Sequence, residues 1–145
     1  MTYVILDTNV LVSALWRNLL QGKPAALLDL CLEKRYGTIY TREIFEEYAA
    51  VLMRPRFGFD RDDVRMLLDF FEFQALSAEP LFDSLSRPQC NDPEDQKFFD
   101  AACCWDALLV TGNKKHFPDD KHVLTPAEFF ELRALPNSLI LSHLS

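Results

Sequence analysis

Four side chains with oxygen ligands lie where they could share one metal ion. Asp7 directly follows the apolar run at positions 3–6, and Asn113 comes shortly after a second apolar run at 107–110. Glu47 and Asp95 lie between these runs, in segments with helical patterns. Open parallel sheets bind ligands at the carboxyl ends of their strands, so acids placed there are aimed at a site. Hard oxygen ligands suit Mg²⁺ or Mn²⁺, and the pattern predicts a site for one of these ions.

Such an ion would support hydrolysis of a phosphodiester bond. A bound dication lowers the pKa of its water and offsets charge on the attacking and leaving oxygens. The ligands would come from several elements, so wide separation along the chain is expected. Asp7 is the strongest candidate among them, although an aspartate here also suits the cap of a helix that begins near Val10.

Each helical acid has neighbours that compete for the same role. Glu47 lies near the apolar boundary of its helix, whereas Glu43 and Glu46 are expected to face solvent. Asp95 shares an apolar face with Phe99, and an acid on a buried face needs a partner. A solvated helix surface remains the alternative for Glu47. Acids in a first helical turn also favour the helix dipole, which is the alternative for Asp95.

Polar and basic side chains near these acids are candidates for substrate contacts. One group follows the second apolar run, and the other brackets a proline break after the third helix. A solvated basic surface is the alternative for both groups. The candidate substrate-binding residues are Thr111, Lys114, Lys115, His116, Arg54 and Arg56.

The composition indicates one packed domain. The chain has 145 residues with 49% apolar content, and its net charge of −7 argues against a non-specific nucleic-acid binder without excluding local basic patches. No apolar run approaches the roughly 20 residues that cross a bilayer, and no secretory signal is expected before the first strand. Four cysteines without a C-x-x-C pattern fit free thiols in a reducing cytoplasm.

Strand-like and helix-like segments alternate along the chain, which predicts a parallel sheet with helices on both faces. Helix starts are expected at Thr41, Asp60, Asp92 and Thr125. Gly37 is expected to close the second helix, which would run to about Arg35, in the left-handed conformation. A weak third strand is expected over 73–76, and 77–93 should be mostly loop. The predicted domain covers 1–135, with a tail at 136–145.

Four segments together resemble the PIN domain, in particular its PilT N-terminus-like bacterial branch. These segments are Ile5–Leu11, Glu46–Tyr48, Asp92–Phe98 and Val110–Pro118. The resemblance implies a three-layer α/β/α fold with a five-stranded parallel sheet. It also implies a Mg²⁺- or Mn²⁺-dependent ribonuclease with Asp7, Glu47, Asp95 and Asn113 as its catalytic set, the first three as metal ligands. Toxin members of the family imply a homodimer and a small antitoxin partner. No membrane association is expected.

Two other interpretations fit the same residues. Many family members carry aspartate where this chain has Asn113, and this departure, with the acidic net charge, leaves room for a binding module that keeps the fold. The second is a haloacid-dehalogenase-like phosphatase with Asp7 as nucleophile, using Lys114 and the pair at 119–120. Asn9 stands where that chemistry needs a second aspartate.

Overall fold

A five-stranded parallel sheet forms the centre of the molecule. The computed structural model describes residues 2–16, 22–81, 87–135 and 143. All strand pairs are parallel, and the strand order is β3-β2-β1-β4-β5. The strands are β1 (Tyr3–Leu6), β2 (Gly37–Tyr40), β3 (Leu76–Ser77), β4 (Leu108–Val110) and β5 (Val123–Leu124).

Six helices within the described residues surround this sheet and confirm the predicted α/β/α architecture. Helix α2 packs on α1 and α6, whereas α3 packs on α4 and α5. None of the helices in the described ranges combines the length and apolar composition of a membrane-spanning segment. The helices are α1 (Thr8–Trp16), α2 (Lys23–Leu32), α3 (Arg42–Leu52), α4 (Arg61–Gln74), α5 (Gln96–Trp105) and α6 (Pro126–Arg133).

The helix starts follow the capping pattern of the sequence. The Thr41 hydroxyl accepts the Ile44 N–H, and the Asp60 carboxylate accepts two N–H groups at the start of α4. Thr125 and Glu128 form a reciprocal capping box on α6. Asp92 caps a 3-10 turn at Pro93–Asp95, which leads into α5. These caps satisfy backbone donors that have no partner within the helix.

The central strands lie within the core. Val4, Ile5 and Leu6 of β1 are fully buried, and β4 is buried along its whole length. Strands covered on both faces are expected to be continuously apolar, as these are. Leu6 pairs with Val110 at the end of the register, so both strands end at the same level. The residues that follow them, Asp7 and Thr111, therefore emerge side by side.

Gly37 does not close α2, as its sequence position suggested. The helix ends at Leu32, and the left-handed residue is Lys34, with φ of 60°. Gly37 instead begins β2, where a Cβ atom would lie 2.4 Å from ring atoms of Tyr3. A glycine is needed at position 37 because the Tyr3 ring packs directly against its backbone and leaves no room for a side chain.

The third strand is also shorter and later than expected. Helix α4 continues through Gln74, so Phe73 is helical and 75% exposed. Phe70 and Phe71 continue the apolar face of α4 and are buried against the core. This packing stabilises the last turns of the helix, so the helix extends beyond the predicted boundary. The predicted tail at 136–145 lies outside the described residues except for His143.

Candidate metal centre

Asp7 and Thr111 lie where the strand order reverses. From β1 the chain proceeds to β2 on one side, whereas β4 pairs with the other side of β1. The Asp7 N–H donates to the Val110 carbonyl at 2.9 Å, which joins the ends of β1 and β4. Crevices at such a reversal are the usual ligand sites of open α/β sheets. The carboxylate of Asp7 therefore lies in the most favourable part of this fold for a ligand.

The Asp7 side chain is 7% exposed, and its surroundings disfavour its negative charge. Burial raises the pKa of its carboxyl from 3.8 to about 6, and the charges of Asp95 and Glu47 act in the same direction. The Thr111 hydroxyl donates to Asp7 Oδ2 at 2.7 Å and opposes this rise in pKa. A carboxylate in this position is one that a cation would stabilise.

Glu47 reaches the same region from the middle of α3. The Thr8 hydroxyl, at the start of α1, donates to Glu47 Oε2. Lys97 Nζ, from α5, lies 2.9 Å from Glu47 Oε1, and the Lys97 side chain is only 12% exposed. Glu43 and Glu46 are exposed, as predicted. Glu47 is thus the acid of this helix that faces the other elements.

Asp95 completes the group from the 3-10 turn before α5. Its Oδ2 atom is buried and accepts no hydrogen bond from any described residue. The Nδ1 atom of His116 lies 3.6 Å from this Oδ2 atom. Burial raises the pKa of Asp95, as do the charges of Asp92 and Glu47, while His116 and Lys97 lower it. A buried carboxylate oxygen without a donor calls for a positive partner.

Asn113 lies two residues after Thr111, and its side-chain amide contacts His116. Its Nδ2 lies 2.9 Å from His116 Nε2, and its backbone N–H donates to the Thr111 hydroxyl at 3.0 Å. The neighbouring Gly112 N–H donates to Asn9 Oδ1 at 2.9 Å. Asn9 thus organises the turn, and Asn113 links His116 to this turn.

These residues fit a hydrated divalent cation. The candidate metal ligands are all carboxylate oxygens, which Mg²⁺ and Mn²⁺ prefer. Among them, the buried Oδ2 of Asp95 accepts no hydrogen bond from a described residue. The carboxylate oxygens of Asp7, Glu47 and Asp95 do not all lie within 4.8 Å of one another. Mg²⁺ usually keeps several of its waters, so a wider set of carboxylates is compatible with it.

The predicted substrate residues lie in different surroundings. Thr111 is fully buried, and its hydroxyl donates to the Asp7 carboxylate. Lys114 is paired with Glu128 at 3.0 Å, whereas Lys115 is exposed. His116 is exposed and lies next to Asp95.

Arg54 and Arg56 are exposed in the segment between α3 and α4, next to an aromatic cluster. Trp16, at the end of α1, packs edge-on against Phe57, and Phe57 stacks on Phe59 with ring centres 5.3 Å apart. The Arg56 guanidinium lies 4.8 Å from the centre of the Phe57 ring. This cluster lines a pocket of about 250 Å³ at the far end of the helix that begins at Thr8.

Lys97 and Thr8 both contact Glu47, although the sequence did not single out either residue. Both residues lie within the segments that resemble the PIN domain, but neither has a side chain typical of a metal ligand there. A lysine on a helix is usually solvated. A possible signal was the position of Lys97, three residues after Glu94 on the same face, where the two side chains interact at 3.6 Å. Its contact with Glu47 joins two helices and could not be read from spacing.

The fold and this cleft together define a doubly wound α/β domain with an acidic centre at its switch point. The sequence matches the PIN domain over residues 3–115, and the chain belongs to the PIN domain family. PIN domains are generally nucleases that use divalent metal ions. A relative in Methanocaldococcus jannaschii, described as uncharacterized, is 28% identical over 114 residues, which covers 77% of this chain and 70% of the relative.

Proposed function

We propose that this protein is a Mg²⁺- or Mn²⁺-dependent endoribonuclease. The observation that carries the proposal is the buried Asp7 carboxylate at the switch point, whose pKa is raised to about 6 by burial and by its acidic neighbours Asp95 and Glu47. Without a cation, this arrangement is electrostatically unfavourable. A group of acids that the fold maintains at such a cost is a candidate for function.

Asp7, Glu47 and Asp95 would hold the ion, directly or through water. When bound, it would lower the pKa of a water molecule and offset charge on the phosphate. Thr111 holds Asp7 in place, and Thr8 holds Glu47.

Asn113 would support the site as a neutral group. The exposed basic side chains would contact substrate phosphates near the cleft and along the neighbouring surface. Lys114 would contribute less to phosphate binding than predicted, because Glu128 already pairs with it. The proposed phosphate contacts are Lys115, His116, Arg54 and Arg56.

The aromatic cluster suits an unpaired strand as substrate. Bases stack on exposed aromatic rings only when they are free of a duplex. Trp16 is 58% exposed, and α1 places it roughly 12 Å along the helix from Thr8, at about 1.5 Å per residue. A single strand could therefore place a base on this cluster and a phosphate near Asp7.

The decisive experiment compares purified wild type with Asp7→Asn on single-stranded RNA. We expect internal cleavage with Mn²⁺ or Mg²⁺, loss of cleavage on chelation, and a rate reduced by at least about a hundredfold in the variant. Asp69→Asn, which changes an exposed acid on α4, is the matched control and should cleave normally. Equal cleavage by wild type and Asp7→Asn would refute the assignment.

We further propose that this ribonuclease is the toxin of a toxin–antitoxin pair. The active chain would slow bacterial growth when expressed, and a small antitoxin protein would relieve this effect; the active form would be a homodimer. Growth arrest by wild type but not by Asp7→Asn would support the role. Unimpaired growth at expression levels where the purified protein cleaves RNA would argue against it.

The second candidate is a PIN-fold binding module without activity. Asn113 favours it, since its amide lies against His116 and adds no negative charge to the centre. Calorimetry with Mn²⁺ separates the two, because the module would fold normally and bind no ion. The phosphatase alternative loses its support, since Asp120 bonds to His122 and Lys114 pairs with Glu128.

A further inference from the structure

A second cluster of metal-ligating side chains lies away from the acidic centre. It consists of Cys103, Asp120 and His122, whose ligand atoms all lie within 4.8 Å of one another. Cys103 lies near the end of α5, and His122 directly precedes β5. The cluster is therefore at the amino ends of the strands, whereas Asp7 follows the carboxyl end of β1.

His122 is held from both sides by carboxylates. Its Nδ1 lies 2.6 Å from Asp120 Oδ1, and its Nε2 lies 2.6 Å from Asp106 Oδ1. The ring is nearly buried, and its backbone N–H also donates to Asp120 Oδ1 at 2.8 Å. A neutral imidazole has one N–H and can satisfy only one of these carboxylates. A metal ion between the ring and Asp120 would give this carboxylate a positive partner, while the other ring nitrogen donates to Asp106.

We propose that Cys103, Asp120 and His122 form a Zn²⁺ site. Thiolate and imidazole ligands select zinc over the hard ions suited to the acidic centre. The ring nitrogen facing Asp120 would bind the metal, and the other would donate to Asp106. Metal-bound histidines commonly have such a carboxylate partner, which sets the tautomer and orients the ring.

Binding requires only small movements of the ligands. Zinc bonds of 2.0–2.3 Å in a tetrahedron separate ligand atoms by roughly 3.3–3.7 Å. The contact between His122 and Asp120 must widen from 2.6 Å, while Cys103 is already within 4.8 Å of both. Cys103 loses its thiol proton to solvent when the metal binds, and His122 binds as the neutral ring. A water completes the tetrahedron.

A zinc ion bound at this site would link α5, through Cys103, to the turn before β5, through Asp120 and His122. Helix α5 follows directly from Asp95, so zinc would fasten the end of the helix that is remote from the acidic centre. The site would act through stability and would be independent of RNA cleavage.

Titration of metal-free protein with ZnCl₂ in excess Mg²⁺ tests the proposal. We expect one Zn²⁺ per chain by calorimetry, and Co²⁺ in its place should give a thiolate-to-metal charge-transfer band in the near ultraviolet. Cys103→Ser should lose this band and bind zinc at least about tenfold more weakly. Cys104→Ser, which changes the adjacent cysteine, and Asp7→Asn should keep both properties.

Three results would overturn the zinc site. They are absence of zinc binding to wild type, an unchanged cobalt band in Cys103→Ser, and loss of zinc binding in Asp7→Asn, which would assign the ion to the acidic centre. Circular dichroism checks that each variant is folded. If Cys103→Ser does not fold, Asp120→Asn replaces it, and unchanged zinc affinity in that variant would equally reject the site. None of these outcomes depends on nuclease activity.

Discussion

At the scale of single residues, the proposed metal ligand Asp7 lowers the stability of the metal-free protein at neutral pH. The folded, metal-free protein holds the proton of Asp7 more tightly than the unfolded chain, since the pKa of Asp7 is about 6 when folded and 3.8 in the reference state. Its contribution to stability is therefore greatest below pH 3.8 and is lost as the pH rises through about 6. A shift of this size corresponds to a cost of up to about 3 kcal/mol at neutral pH.

Asp7→Asn should therefore stabilise the metal-free protein while abolishing RNA cleavage. The amide is neutral, and its oxygen can still accept the hydrogen bond from Thr111. We expect urea unfolding at pH 7 to show a gain of about 1–3 kcal/mol, which disappears near pH 4. Asp69→Asn should leave stability within about 0.5 kcal/mol of wild type. A destabilised Asp7→Asn would mean that the carboxylate is satisfied without a metal.

Asn113→Asp tests whether the neutral residue limits metal binding. The change adds a carboxylate next to His116 and close to the turn that holds Thr111. We expect Mn²⁺ to bind severalfold more tightly, because an added anionic ligand strengthens attraction to a dication. Calorimetry on the two proteins measures the difference, and unchanged affinity would show that position 113 lies outside the metal's reach.

At the scale of elements, Tyr48 couples α3 to β1. Its buried hydroxyl donates to the Leu6 carbonyl, directly before Asp7, and its neighbour Glu47 faces the acidic centre. Tyr48→Phe leaves this buried carbonyl without its donor and should cost about 1–3 kcal/mol in chemical unfolding. We also expect weaker Mn²⁺ binding, since Glu47 and Asp7 are then less firmly positioned. Tyr36→Phe, at a half-buried position away from the site, is the control.

The aromatic cluster makes a separate prediction about substrate binding. Trp16→Ala removes an exposed ring from the end of α1, where the packing of the core should be little affected. Loss of one stacked base should weaken binding of single-stranded RNA by about 1–3 kcal/mol, with KM affected more than kcat. Fluorescence anisotropy with a short labelled RNA measures this, and Met66→Ala, another exposed apolar residue, should bind as wild type does.

At the scale of the whole molecule, metal binding and folding should be linked. An ion that binds only the folded state stabilises it by about 2.7 kcal/mol at a hundred times its Kd. We expect Mn²⁺ to raise the Tm of wild type in proportion to the logarithm of its concentration, but not that of Asp7→Asn. Zinc should raise the Tm of both proteins through its separate site. Equal responses of both proteins to Mn²⁺ would contradict an acidic metal centre.

Much of the fold could be predicted because its signals are local. Apolar runs predicted the buried strands β1 and β4, and hydrogen-bonding side chains at Thr41, Asp60 and Thr125 predicted where helices begin. The errors arose where packing decided the outcome. Gly37 serves the close approach of Tyr3, and helix α4 continues through Phe73 because its preceding turns are buried.

The sequence by itself determined the architecture and the acids at the ends of strands and helices, because strand patterning, capping and residue chemistry are properties of short segments. Only the tertiary structure decided which groups meet. Thr111 reaches Asp7 across 104 positions, and Thr8 reaches Glu47 across 39. Such contacts depend on which strands pair and how crossovers pack, and spacing along the chain carries no record of either. The cluster around His122 arises in the same way, from the end of a helix and the turn before a strand.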